Sequence, residues 1–135
     1  MEVTAKVVGD LTGEESADIL IHMTHPGSEF QQEVRNRHGS QTPIALVRSR
    51  EHGLAAWVAT HEWRGMQTLE GFTRPEARRR GFARLAAAVL VADGRVDPHR
   101  ETAVFSPDCI GISQHVGCKK VRVYERRDED WREIS

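Results

Sequence analysis

Residues 71–93 read GFTRPEARRRGFARLAAAVLVAD, and the fold turns on how this stretch divides. Gly71 to Thr73 closes a strand, a turn broken by proline and glycine follows, and the remainder is helical. Phe82, Leu85, Ala86, Val89, Leu90 and Asp93 recur at steps of three and four, and alanines fill most positions between them. Gly94 supplies the usual left-handed stop. A strand, a turn and a helix start in that order leave the unpaired N–H groups of the first turn facing whatever binds beyond the strand. Arg78, Arg79, Arg80 and Arg84 crowd this positive end of the helix macrodipole, where an acid would be favoured by about 0.3–1 kcal/mol. A sequence that accepts such repulsion points to an anionic ligand. Gly81, inside the run, removes the side chain that would keep a phosphate from the backbone. The plainer account, that the arginines only solvate a helix end, leaves that glycine unexplained.

The rest of the chain sets bounds. Its 135 residues form one domain, 1–135, large enough to bury a single core without staples. Hydrophobic residues at 39% and charged residues at 29% are ordinary for a globular domain. A net charge of -1 gives no global pull toward nucleic acid or membrane, and no aromatics interleave the arginines as a nucleic-acid face would require. Cys109 and Cys118 belong to no repeated pattern, so neither a disulfide framework nor a zinc knuckle is expected, and a reducing cytoplasm fits. His22 with His25, and His115 with Cys118, have metal-like spacing but no further ligands near them in sequence, so no metal is expected. No signal peptide or membrane span is expected, since the longest apolar run, Leu85 to Ala92, is too short.

Taken in order, Glu2 to Val8 alternates as a half-buried strand. Asp10 or Thr12 then caps a helix with Glu14 and Glu15 in its first turn and Ile19, Leu20 and Met23 on its apolar face. After His25-Pro26-Gly27 a second helix is predicted from Ser28 to His38. Three antiparallel strands follow as a meander, Ile44–Arg50, Leu54–Trp63 and Gln67–Thr73, separated by hairpin-length turns. Beyond the long helix, Thr102 to Phe105 reads as a short strand buried between neighbours, Pro107 to His115 as a helix capped by Ser106, and Cys118 to Arg126 as a strand. In the charged tail only Trp131 and Ile134 could dock a last short strand. Trp57 and Trp63 share strand parity, Trp57 as core and Trp63 as a candidate pocket wall.

Two segments resemble a family. Arg78-x-x-Gly81-x-Ala83, between a strand and an apolar helix, is similar to the pyrophosphate loop of the GNAT superfamily of acyl-CoA-dependent N-acyltransferases, whose pattern is Gln/Arg-x-x-Gly-x-Gly/Ala. Ser106 to Cys118, SPDCIGISQHVGC, is similar to the family segment Asn-x-x-Ala-x-x-Leu-Tyr-x-x-x-Gly-Phe. Ser106 stands for Asn, Cys109 for the small residue and Gly117 for Gly, whereas Ser113 replaces the frequent Tyr and Cys118 the Phe. The resemblance implies an α+β fold with a central, mostly antiparallel mixed sheet of about six or seven strands and about four helices, in the order β-α-α-β-β-β-α-β-α-β. It further implies acetyl-CoA as co-substrate. Arg78, Arg79, Arg80, Gly81, Phe82, Ala83 and Arg84 would hold its phosphates, Gly71, Phe72 and Thr73 would pair with its pantetheine, and Ser106 would complete the site.

The implied reaction, attack of an amine on a thioester, needs a base, a polarised carbonyl and an acid for the departing thiolate. Glu70 is the first candidate base, because flanking Leu69 and Phe72 could raise its pKa; Glu62 is second and His61 third. For the acid, Ser113 occupies the family's Tyr position with a hydroxyl too weakly acidic for the task, and Tyr124 on the next strand is the substitute. The implied partners are an acyl-CoA and an amine acceptor, a small molecule or a protein; a homodimer or other protein partner stays open, and no nucleic acid or membrane is expected. Two other functions compete: a module that keeps the CoA site without turnover, and an Arg-rich nucleic-acid binder, which the charge balance disfavours. Gly81→Asp is expected to abolish acetyl-CoA binding in calorimetry while circular dichroism shows the fold intact, since it places a side chain and a negative charge where the pyrophosphate meets the amides.

Overall fold

A computed structural model describes residues 3–8, 12–21, 43–128 and 130–134. Its strands are β1 (Val3–Val8), β2 (Ile44–Ser49), β3 (Gly53–Ala59), β4 (Glu62–Trp63), β5 (Met66–Thr68), β6 (Glu70–Thr73), β7 (Glu101–Val104), β8 (Lys120–Arg127) and β9 (Asp130–Glu133). Its helices are α1 (Gly13–Ile21), α2 (Phe82–Ala92) and α3 (Asp108–His115), with a short 3-10 turn at Pro75–Ala77. The helix predicted over Ser28–His38 lies outside the described residues. Among them, no helix is long and apolar enough to cross a membrane.

The fold is α+β, but the one sheet expected from sequence is divided into two, in the orders β1-β2-β3-β6 and β4-β5-β7-β8-β9. Pairing is antiparallel except for β5 with β7 and β7 with β8. The predicted meander explains the division. Ala59 opposes Glu70 and Glu62 opposes Gln67, so β3–β4 and β5–β6 form one long hairpin whose register never slips. Its tip is a two-residue turn with positive φ at Arg64 (51°) and Gly65 (77°), matching a type I′ hairpin. Between the halves the Thr68 side chain interrupts the ladder, accepting the His61 N–H at 3.1 Å in place of a carbonyl. The base of the hairpin continues the first sheet, and its tip continues the second.

Both faces of the first sheet are covered. On one, α1 buries Ile19 against Ile44, Leu46, Leu54, Trp57 and Ala59, with Phe72 packed alongside. Thr12, one of the two predicted caps, starts α1 in a capping box: the Thr12 N–H donates to Glu15 Oε1 at 2.9 Å and the Glu15 N–H to Thr12 Oγ1 at 3.1 Å, whereas Asp10 lies outside the described residues. Glu15 also accepts from Arg48 on β2 at 2.9 Å, which fastens the helix start to the sheet.

The other face carries α2 and α3. Phe82, Ala86, Ala87 and Leu90 are the buried stripe of α2, and the alanines let it lie close to the strands. Leu85, predicted to face inward, is instead 39% exposed, because the stripe follows steps of four from Phe82. A third cluster lies on the second sheet, where Trp63, Met66, Ala103, Phe105 and Tyr124 are buried together and Trp131 packs against them. That contact docks the tail: Trp131 opposes Arg126, and β9 forms as the weakly signalled last strand. Trp63 is thus core like Trp57, though in a different cluster, since the hairpin passes from one sheet to the other between them.

At Gly71 an added Cβ would sit 2.9 Å from Val58 Cγ2 and 3.1 Å from the Trp57 carbonyl oxygen. Neither neighbour yields easily, one being a branched side chain and the other backbone. Gly71→Ala is therefore expected to destabilise the chain by about 1–3 kcal/mol, read from a chemical denaturation midpoint at unchanged slope.

Candidate anion-binding site at the strand splay

The site begins where two parallel strands part. β5 pairs with β7 at Gln67–Thr102 and Thr68–Ala103, and the Leu69 N–H still donates to the Ala103 carbonyl at 3.1 Å. Past Leu69 the chain runs on as β6, bound to β3, while β7 stays with β8 through Val104 and Val123. No described strand pairs with the β7-facing edge of Glu70–Thr73. A crevice at the carboxyl ends of parallel strands joined by a helical crossover is where α/β sheets bind ligands.

The loop from β6 to α2 is held into this crevice. The Arg74 N–H donates to the Ala55 carbonyl at 2.9 Å and Arg74 Nε to the Leu54 carbonyl. Ala77 is fully buried, pinning the 3-10 turn, and Arg78 Nε reaches back to the Thr73 carbonyl at 3.2 Å. Arg79 and Gly81 have φ of 66° and 76°. The left-handed region costs an arginine about 1–2 kcal/mol and a glycine almost nothing. Gly81 caps α2, and its carbonyl accepts the Leu85 N–H at 2.9 Å. The N–H groups of Phe82, Ala83 and Arg84 consequently precede the first intrahelical bond.

These groups border a cavity of about 340 Å³ lined by Thr73, Arg78, Arg79, Gly81, Phe82, Ala83 and Arg84, with Ile112 from α3. Its lining has three arginines and no acid. Among the described residues Arg79 and Arg84 form no ion pair, whereas Arg80 turns away to Glu51 Oε2 at 2.9 Å. The arginines expected in the first turn of the helix therefore split: Arg84 is within it, and Arg78 to Arg80 precede its cap. Of the residues singled out from sequence, Gly71, Phe72, Arg80 and Ser106 lie outside the lining. Ile112 was not singled out; it faces the cavity because α3 packs beside α2, which no local pattern announces.

The candidate catalytic residues are dispersed. Glu70, the first residue of β6, is 2% exposed. It opposes Ala59 and shares strand parity with Phe72, so it faces the α1 side, while Thr73 and the loop lie on the α2 side. Glu62 is exposed near the hairpin tip and bound through both oxygens to Arg100, at 2.5 and 2.9 Å; that guanidinium holds its carboxyl below the usual range. His61 Nδ1 lies 2.9 Å from Thr68 Oγ1. Ser113 is fully buried and donates to the Ile110 carbonyl at 2.7 Å. Tyr124 is 7% exposed, edge-on to Trp63 at 4.9 Å, with its hydroxyl 3.8 Å from Met66 Sδ. Ser106 is half-buried, and its carbonyl accepts the Cys109 N–H at 3.1 Å. Cys109 and Cys118 are buried free thiols, and burial pushes the Cys118 thiol up. Among the described residues no three His, Cys, Asp or Glu converge as metal ligands.

No family model and no curated protein matches the chain. A comparison with solved structures gives a distant match. One described as "a putative phosphinothricin N-acetyltransferase" aligns with 91% of this chain and 72% of that one, at 12% identity and a TM-score of 0.44. A likeness this distant says nothing about the site.

An arginine at a helix start that serves a ligand, not the fold, should be dispensable to stability. Arg84→Ala is expected to leave the melting temperature equal or slightly higher, because it relieves repulsion with the helix dipole and installs the best helix former. A loss beyond about 1 kcal/mol in denaturation would mark Arg84 as structural instead.

Proposed function

We propose that this chain is a GNAT-type N-acyltransferase that moves an acyl group, acetyl first among them, from acyl-CoA to an amine acceptor. The observation that carries the proposal is the cavity: three arginines, a left-handed glycine and the first residues of α2 line it at the carboxyl end of a strand that parts from its parallel neighbour. That donor set fits a pyrophosphate, with cations for its charge and N–H groups for its oxygens. Arg78, Arg79 and Arg84 would hold the phosphates, and the β7-facing edge of Gly71 to Thr73 would offer backbone groups to the pantetheine amides. When bound, the co-substrate supplies the activated acyl group as a thioester.

Glu70 would act as the base. It lies on the same strand but on the opposite face from the loop, so the opening between β6 and β7 would connect the phosphate site to the acceptor side. A buried carboxylate there can take the proton of an incoming amine with little competition from bulk water. Glu62 is the weaker base, since its bond to Arg100 stabilises the ionised form and lowers its proton affinity. Neither Ser113, whose hydroxyl is committed to Ile110, nor Tyr124, inside the aromatic cluster, borders the cavity. The thiolate would then depart without a dedicated side-chain acid. The same two placements favour a second reading, a module that binds acyl-CoA without turning it over.

Saturating acetyl-CoA separates both from an unrelated protein, since about 100 times the dissociation constant stabilises a specific binder by about 2.7 kcal/mol. Thiol release with a panel of amines then distinguishes enzyme from module. Glu70→Gln is expected to slow acyl transfer about 10²- to 10⁴-fold at neutral pH with acetyl-CoA binding unchanged. The deficit should shrink as pH rises toward the pKa of the acceptor amine, where neutral amine no longer depends on a base. Full activity in Glu70→Gln would remove Glu70 from the mechanism, and binding without thiol release in wild type would favour the module.

A further inference from the structure

The four arginines around the loop do two different jobs. Arg78, Arg79 and Arg84 line the cavity, but Arg80 does not; its Nη1 bonds Glu51 Oε2 at 2.9 Å on the turn between β2 and β3. That turn is itself ordered, with the His52 N–H donating to Ser49 Oγ at 3.0 Å and His52 Nε2 3.7 Å from Glu51 Oε2. The other end of the loop is fastened to the same support, through Arg74 to the carbonyls of Leu54 and Ala55. Residues 74–80 are thus held at both ends by one hairpin, and the two left-handed residues flank the Arg80 anchor. We infer that Glu51 is a positioning residue: by holding Arg80 it fixes the loop in the conformation whose amides and cations converge on the cavity, and Arg80 acts as a tether, not as a phosphate ligand.

The inference rests on the loop being a phosphate cradle, and the sign of one effect separates it from simple electrostatics. A carboxylate beside an anion site repels the anion, so on charge alone its removal tightens binding. A tether predicts the opposite. In the full chain, Glu51→Gln is expected to weaken acetyl-CoA about three- to five-fold in calorimetry, near the ceiling for an exposed ion pair. The salt dependence should stay that of wild type, because the guanidinium groups that meet phosphate are unchanged. Without ligand, trypsin should cut after Arg79 several-fold faster in Glu51→Gln at an unchanged melting temperature. The exchanged pair Glu51→Lys with Arg80→Glu should recover affinity to within about two-fold of wild type and restore protease resistance.

Equal or tighter binding in Glu51→Gln would overturn the inference. So would an exchanged pair that binds as poorly as Arg80→Ala with a shallower salt dependence, since Arg80 would then be a ligand. If wild type fails to bind acetyl-CoA, the functional proposal falls, while the ligand-free protease comparison still decides whether Glu51 holds the loop: faster cutting upholds the tether and equal cutting removes it.

Discussion

Everything about the site depends on where one ladder stops. The bond from the Leu69 N–H to the Ala103 carbonyl is the last between the central strand and β7, and beyond it the strand belongs to β3 alone. An open backbone edge inside a domain is costly unless water or a ligand meets its polar groups. The bond network thereby leaves the β7-facing edge of Glu70–Thr73 without a described strand partner, and the β6–α2 loop stands at the mouth of the crevice. Close packing supports the geometry from behind, through the absent side chain at Gly71 and the fully buried Ala77.

The loop works against local preference. Cations sit at the positive end of a helix, and Arg79 occupies a backbone region better suited to glycine. Such costs persist where surrounding structure over-determines the conformation. Here the determinants are the Arg74 bonds to β3, the Arg78 bond to Thr73 and the Arg80 pair with Glu51.

The elements with a local physical cause were legible in the sequence. The Thr12 cap of α1, offered beside Asp10, the αL stop at Gly94, the Arg64–Gly65 hairpin and the buried strand of Thr102 to Val104 appear where their residue types place them. The basic loop could be recognised because its composition contradicts helix electrostatics. What depended on tertiary choice was not legible. Leu85 fits an inner face by spacing, but rotation of the helix about its axis is set by how Ala86 and Ala87 approach the sheet. Splitting of the meander followed from the parting of its last strand from β7 after Leu69, beyond which only β3 pairs with it. The commitment of Ser113 to its own helix, and of Arg80 to a distant turn, involves partners that no periodicity reveals.

The uninterrupted hairpin register also shapes how the molecule comes apart. Each sheet takes half of the same two strands, so neither sheet can lose its pairing without fraying the hairpin that the other requires. Arg64 strengthens the connection, stacking 4.3 Å over Trp63 while bonding Asp130 and the Trp131 carbonyl, which links the hairpin tip to the last strand. The two ladders are therefore coupled through one hairpin, and the crevice between them is expected to open within a body that melts in a single transition.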